Sequence, residues 1–111
     1  MSQTECAARL VLTTCDNPKE AGALARTLVE ERLAACATML PRVESVYRWE
    51  GAVQSATETL LLLKTTAGQV EALRARLLAL HSYQTPEFLV VEAVGGSAGY
   101  LAWLASSVGQ G

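Results

Sequence analysis

Between Met39 and Lys64 the sequence predicts two long strands folded back on each other, with a turn near Trp49-Glu50-Gly51. In the first arm Met39, Pro41, Val43, Tyr47 and Trp49 share one parity, and Thr38, Arg42, Glu44 and Arg48 share the other. That is the period of two of a strand with one buried face. In the second arm Leu60 to Leu63 leave no polar face, so this part is expected to be covered on both sides, as a central strand is. Each arm has about a dozen residues and reaches roughly 40 Å at ~3.3 Å per residue. A compact chain of this size has a radius of gyration of only ~13 Å. The ribbon therefore outgrows its own globule, and its far end carries Val46, Tyr47 and Trp49, poor residues to leave in water. Other subunits are expected to cover it.

The 111 residues are expected to form a single domain, 1–111. A chain this short buries roughly 65% of its unfolded surface and has little room for an enclosed active site. Half the residues are hydrophobic and 18% are charged, which argues for order throughout. A net charge of −2 with no basic run argues against a nucleic-acid partner. No apolar run reaches membrane-spanning length, so no membrane partner is expected. Met1 to Glu5 lack the basic start and apolar block of a leader, and the three cysteines are odd in number and far apart. Together these point to reduced thiols and a cytoplasmic location.

In chain order, Ala8 to Thr14 read as a strand. Asn17-Pro18-Lys19-Glu20 reads as a helix start, with Asn17 as cap, Pro18 at the first position and Glu20 completing a capping box. Ala21, Leu24, Ala25, Leu28, Val29 and Leu33 form its apolar stripe, and Glu30, Glu31 and Arg32 its solvated face. The second strand starts between Ala34 and Thr38. Pro41 within it predicts a bulge or an edge location, because proline cannot donate to a ladder. Thr66 is expected to cap a second helix, with Gln69 at its third position and Val70, Leu73, Leu77 and Leu80 on one stripe, ending near His81. Glu87 to Val94 is the last strand, and Ser97 is expected to cap a short helix carrying Tyr100, Leu101, Trp103, Leu104 and Val108. The order strand, helix, strand, strand, helix, strand, then an extra helix gives an α+β class, the split β-α-β arrangement of ferredoxin-like domains. Right-handed crossovers put both helices on one face of a four-stranded sheet.

At Tyr47-Arg48-Trp49-Glu50-Gly51 and His81-Ser82-Tyr83-Gln84-Thr85-Pro86-Glu87 the sequence resembles the CutA family of divalent-cation-tolerance proteins. Leu33-Ala34-Ala35-Cys36, Leu62-Leu63-Lys64-Thr65 and Tyr100-Leu101-Ala102-Trp103 extend the resemblance over nearly the whole chain, in family order. The resemblance implies a ferredoxin-like homotrimer whose long hairpins interlock. It also implies a non-enzymatic role in metal tolerance, with copper or another divalent cation as the bound ion. A PII-like signalling module, binding a small metabolite in a cleft between subunits, is the alternative.

Cys15 ends the first strand just ahead of a helix, where the local dipole is expected to acidify the thiol and suit it to a soft metal. The resemblance places a metal-ligating cysteine there; the plainer reading is a buried apolar cysteine. His81, the only histidine, follows the second helix and matches the histidine of the family motif. Ser82 stands where the family usually has proline, and Leu80 where some relatives carry a second histidine. Its plainer reading is a partly exposed helix-end residue. Arg48, Trp49, Glu50, Lys64, Tyr83 and Glu87, with Pro86, form a second set. It reads as a polar intersubunit cleft holding a small anion, a metabolite or a hard cation, or else as anchors and rim charges of the trimer. Cys36 is expected in the core and Cys6 exposed. No Cys-x-x-Cys, phosphate loop or catalytic triad is present.

Overall fold

A computed structural model describes residues 6–109; the N-terminal stretch read above for a leader, Met1 to Glu5, lies outside the described residues. The elements are β1 (Ala8–Cys15), α1 (Pro18–Glu30), β2 (Cys36–Trp49), β3 (Ala52–Thr66), α2 (Val70–Leu80), β4 (Leu89–Glu92) and α3 (Ala98–Ser106). The sheet order is β2-β3-β1-β4 with all pairings antiparallel, the expected ferredoxin-like topology.

The alternation in β1 and β3 decides which face is covered. Val11, Thr13 and Cys15 lie opposite Leu63, Leu61 and Thr59, and all six are sealed beneath the helices. Ala21, Leu24, Ala25 and Leu28 of α1 and Leu73 and Leu77 of α2 close over them. The other face carries Leu10, Leu12, Leu60 and Leu62, half-buried, with Leu40, Leu89 and Val91 exposed. The leucine run is thus central in the sheet, but within one chain only its Leu61 and Leu63 side is covered.

Asn17 caps α1 as expected, its Oδ1 accepting the Glu20 N–H at 2.9 Å, with Pro18 at the first turn. The return contact differs from a capping box: Glu20 Oε1 accepts from the Asp16 N–H, one residue earlier, at 3.3 Å. Helix α1 stops at Glu30, so Leu33 packs on the core from outside it. Arg32, expected on its solvated face, has left the helix with φ 62°. Its guanidinium donates to the carbonyls of Ser106 and Gly109 and closes the last turn of α3.

Neither of the other expected caps forms. Thr66 is still paired with Ala8 and makes no side-chain cap bond; a 3₁₀ turn over Ala67–Gln69 precedes α2 instead. Ser97 makes none either. Strand β4 is only four residues long, so Glu87 and Val94 fall outside it. Cys36, expected in the core, sits opposite Lys64 on the uncovered face, 3.9 Å from Lys64 Nζ, because its parity follows Leu62 and not Leu61. Cys6 is half-buried.

The hairpin sets the shape. Its arms have 14 and 15 residues, the molecule measures 52 × 27 × 22 Å, and its radius of gyration is 15.0 Å. The turn uses Glu50 at φ 50° and Gly51 at φ 83°, the two left-handed positions that a tight two-residue hairpin loop requires. Pro41 marks both features expected of it: β2 is an edge strand, and its register shifts between Leu40 and Val43. Leu40 faces Leu60 while Val43 faces Glu58, so β2 holds one extra residue there, and Arg42 takes a left-handed φ of 58°.

That bulge overturns the simple parity read from Met39 to Trp49. Met39, opposite Leu61, shares its face with Glu44, Val46 and Arg48. Val43, Tyr47 and Trp49 instead continue the face of Leu40, Leu60 and Leu62. One extra residue therefore joins the aromatic tip to the uncovered leucine face. At the tip Trp49 is 51% exposed and Val46 71%.

Candidate functional site

The end of β1 and the end of α2 meet at one point. Cys15 is held by its pairing with Thr59, and His81 is the residue that ends α2, its N–H donating to the Leu77 carbonyl at 2.9 Å. These two constraints bring Cys15 Sγ to 3.8 Å from His81 Nε2. Both expected metal residues thus lie together within one chain.

The imidazole is engaged at both nitrogens. The Tyr83 N–H donates to Nδ1 at 3.0 Å, and Nε2 lies 2.7 Å from the Thr14 carbonyl. A ring nitrogen that accepts an N–H carries no proton, so this network puts the proton on Nε2, which donates to Thr14. His81 is 9% exposed, a buried residue rather than a solvated helix end. Its ring packs against that of Tyr83 with centroids 4.7 Å apart.

The expected acidification of Cys15 is reversed. Burial, aided by the charges of Glu20 and Glu58, pushes the thiol up to about 11. Loss of water around a thiolate outweighs the favourable end of α1, and the first turn of that helix contributes Glu20. Glu20 itself is held below the usual carboxylate range, first by a hydrogen bond from Ser82 and then by the Asp16 N–H. Glu20, Leu80 and His81 line a groove of about 140 Å³ between α1 and α2.

Tyr83 reaches round the end of β1. The last β1–β3 pair is Cys15 with Thr59, so Glu58 is free of β1, and the Tyr83 hydroxyl donates to its Oε2 at 2.8 Å. Burial and this contact push the Tyr83 phenol up, keeping it a donor. Glu58 had no signal in the sequence: a single glutamate before four leucines looks like any strand-end charge.

The second expected set is not assembled within one chain. Trp49, Arg48 and Glu50 sit at the hairpin tip, and Arg48 faces Val53. Lys64 lies eleven residues along β3 from Val53, roughly 36 Å away at ~3.3 Å per residue. Among the described residues no ion pair joins Arg48 to Glu50. Glu87 is exposed before β4, and Tyr83 is committed to Glu58.

The donor chemistry at Cys15 and His81 fits a soft or borderline ion. Sulfur and imidazole bonds to such an ion are ~2.3 and ~2.0 Å, so the two atoms at 3.8 Å are close enough to share one. Thr13 and Thr59 add buried hydroxyls on the same face with no hydrogen-bond partner in the chain. Among the described residues no group of three His, Cys, Asp or Glu side chains converges.

Residues 9–107 match the profile of the CutA1 divalent ion tolerance protein family. The chain is 41% identical over 103 residues to the divalent-cation tolerance protein CutA of Pectobacterium atrosepticum, covering 93% of this chain and 94% of the relative. It is 43% identical over 98 residues to the chloroplastic protein CutA of Arabidopsis thaliana, covering 88% of this chain and 54% of that longer relative. The crystal structure of CutA from Xylella fastidiosa superposes with a TM-score of 0.90 at 41% identity, covering 93% of this chain and 99% of that one. This chain belongs to the CutA1 divalent ion tolerance family.

Proposed function

We propose that the protein acts in divalent-cation tolerance as a non-enzymatic cytoplasmic homotrimer that takes up copper or a similar cation at Cys15 and His81. The observation that carries the reading is the 3.8 Å approach of Cys15 Sγ to His81 Nε2, which pairs a soft sulfur with an imidazole in a buried setting. Three free cysteines are in keeping with a reducing compartment.

The uncovered sheet face supports assembly. Leu40, Leu89, Val91, Tyr47 and Trp49 are all at least two-fifths exposed, and the bulge places Leu40, Tyr47 and Trp49 on one face. Covering a large apolar side chain yields ~1.5–3 kcal/mol, so a handful of them offsets the cost of association. The polar residues of the tip, Arg48 and Glu50, would then lie at the junction between subunits.

Cation binding at this pair requires loss of the Cys15 proton, so uptake is expected to strengthen as pH rises. Calorimetric titration with Cu²⁺ and with Zn²⁺ tests the assignment. Wild type is expected to bind and to release a proton, while Cys15→Ser and His81→Ala lose at least about tenfold in affinity. Unchanged binding in both variants removes these residues as ligands.

A further inference from the structure

We propose that Cys36 and Lys64 are a modification site, at which peroxide joins the two side chains through a sulfur–nitrogen bond and fastens the root of the hairpin. The proposal is independent of any ligand at Cys15 and His81.

Strand pairing sets the two residues against each other. Cys36 opens β2 and lies directly opposite Lys64 of β3. Opposed residues of an antiparallel pair hold their Cβ atoms about 5 Å apart on one face. Just outside the ladder the Ala35 N–H donates to the Lys64 carbonyl at 2.8 Å, so the backbone beside the pair is fixed. Sγ and Nζ consequently lie 3.9 Å apart, and the flexible stem of Lys64 can close the remaining gap. Both residues are half-buried, open enough for a small oxidant. Among the described residues Lys64 joins no ion pair, and its neighbour on the other side in the sheet is Leu10.

The chemistry closes without a further reagent. Peroxide oxidises the Cys36 thiol to a sulfenic acid and is itself reduced to water. The Lys64 nitrogen, as the neutral amine, then attacks the sulfur. The S–N bond forms, the S–O bond breaks, and the hydroxyl leaves as a second water with one amine hydrogen. The protein loses two hydrogens in all. A thiol reductant reverses the link: two of its thiols become a disulfide, and the Cys36 thiol and the Lys64 amine return. A sulfenic acid that nothing captures goes on to sulfinic and sulfonic acids.

The other cysteines supply the contrast. Cys15 is sealed beneath the helices. Cys6 is half-buried, but the cation beside it is Arg9, whose Nη1 donates to the Cys6 carbonyl at 2.9 Å. A guanidinium stays protonated and captures no sulfenic acid. Lys19, the other lysine of the chain, lies on α1.

The link would join positions 28 apart and enclose the hairpin in one closed loop. Such a closure restricts the unfolded chain and so favours the folded one. It also replaces an ammonium on the leucine face with a neutral bond.

Peroxide treatment of the full chain in its native assembly, followed by proteolysis and mass spectrometry, tests the site. Wild type is expected to yield the Cys36 and Lys64 peptides joined, lighter than their sum by two hydrogens, and parted again by a thiol reductant. The urea midpoint is expected to rise in the linked protein and not in treated Lys64→Arg. In that variant Cys36 is expected to run on to sulfinic and sulfonic acids, as Cys6 does in both proteins. Cys36 in wild type found as sulfinic acid or in a disulfide with Lys64 unmodified, or left as a thiol at peroxide levels that oxidise Cys6, overturns the proposal.

Discussion

Tyr83 holds Glu58 at 2.8 Å through its hydroxyl and His81 at 3.0 Å through its backbone N–H, so one residue ties the end of α2 to the root of the hairpin. The loop after α2 is short, and the end of β1 at Cys15 leaves Glu58 within its reach. Tyr83 therefore joins the Cys15–His81 pair to the uncovered face of the sheet.

His81 supports the fold as well as a ligand role. Replacing it with alanine orphans the Tyr83 N–H and the Thr14 carbonyl and leaves a hole beneath α2. A loss of ~2–4 kcal/mol in unfolding free energy is expected from urea titration. A loss below ~0.5 kcal/mol would show that the ring is not held as described.

Cys15 gives a pH signature. Its folded value is raised from 9.0 to about 11, so the unfolded chain gives up this proton first. Stability from the neutral thiol is fully present below pH 9 and is lost as pH rises towards 11. Tyr83, also raised from 10.0, extends the loss to higher pH. Cys15→Ala is expected to flatten the decline in stability between pH 9 and 10, measured by denaturant midpoints. An unchanged slope would contradict it.

The bulge carries a test of assembly. Inserting one alanine between Glu58 and Thr59 gives the extra residue of β2 a partner, so Tyr47 and Trp49 turn to the face of Met39 and leave that of Leu40 and Leu60. Sedimentation velocity is expected to show the proposed trimer replaced by smaller species, with the tip aromatics solvated. A trimer of undiminished stability would show that the bulge does not set the interface.

Arg32 links the two ends of the chain's helical layer. Its guanidinium donates to the Ser106 and Gly109 carbonyls, and its own carbonyl accepts the Gly109 N–H at 2.9 Å. Arg32→Ala frees the last turn of α3 at a cost of ~1–3 kcal/mol, visible as a lower denaturant midpoint and faster amide exchange near Leu104. Amide exchange unchanged at Leu104 would remove Arg32 as the clasp of α3.

Much of this was legible in the sequence. The apolar run Leu10-Val11-Leu12 and the Asn17-Pro18 start located β1 and α1, and the length of the Met39–Lys64 ribbon is met by the 52 Å long axis. Pro41 announced a bulge, but one proline does not say how many residues are inserted, so the faces of Tyr47 and Trp49 came out reversed. Cys15 and His81 were each visible as donors. Their approach was not, because it depends on β1 and α2 ending at the same place, 66 positions apart. The thiol's upward shift was missed because a helix N-terminus is readable from spacing, whereas burial is a property of the packed molecule. Glu58 was invisible for the same reason.

The most direct measurement is X-ray absorption at the copper edge on protein loaded with one copper ion per subunit. One sulfur and one imidazole shell are expected, the sulfur vanishing in Cys15→Ser and the imidazole in His81→Ala. A shell of oxygen and nitrogen alone, unchanged by either substitution, would contradict the account.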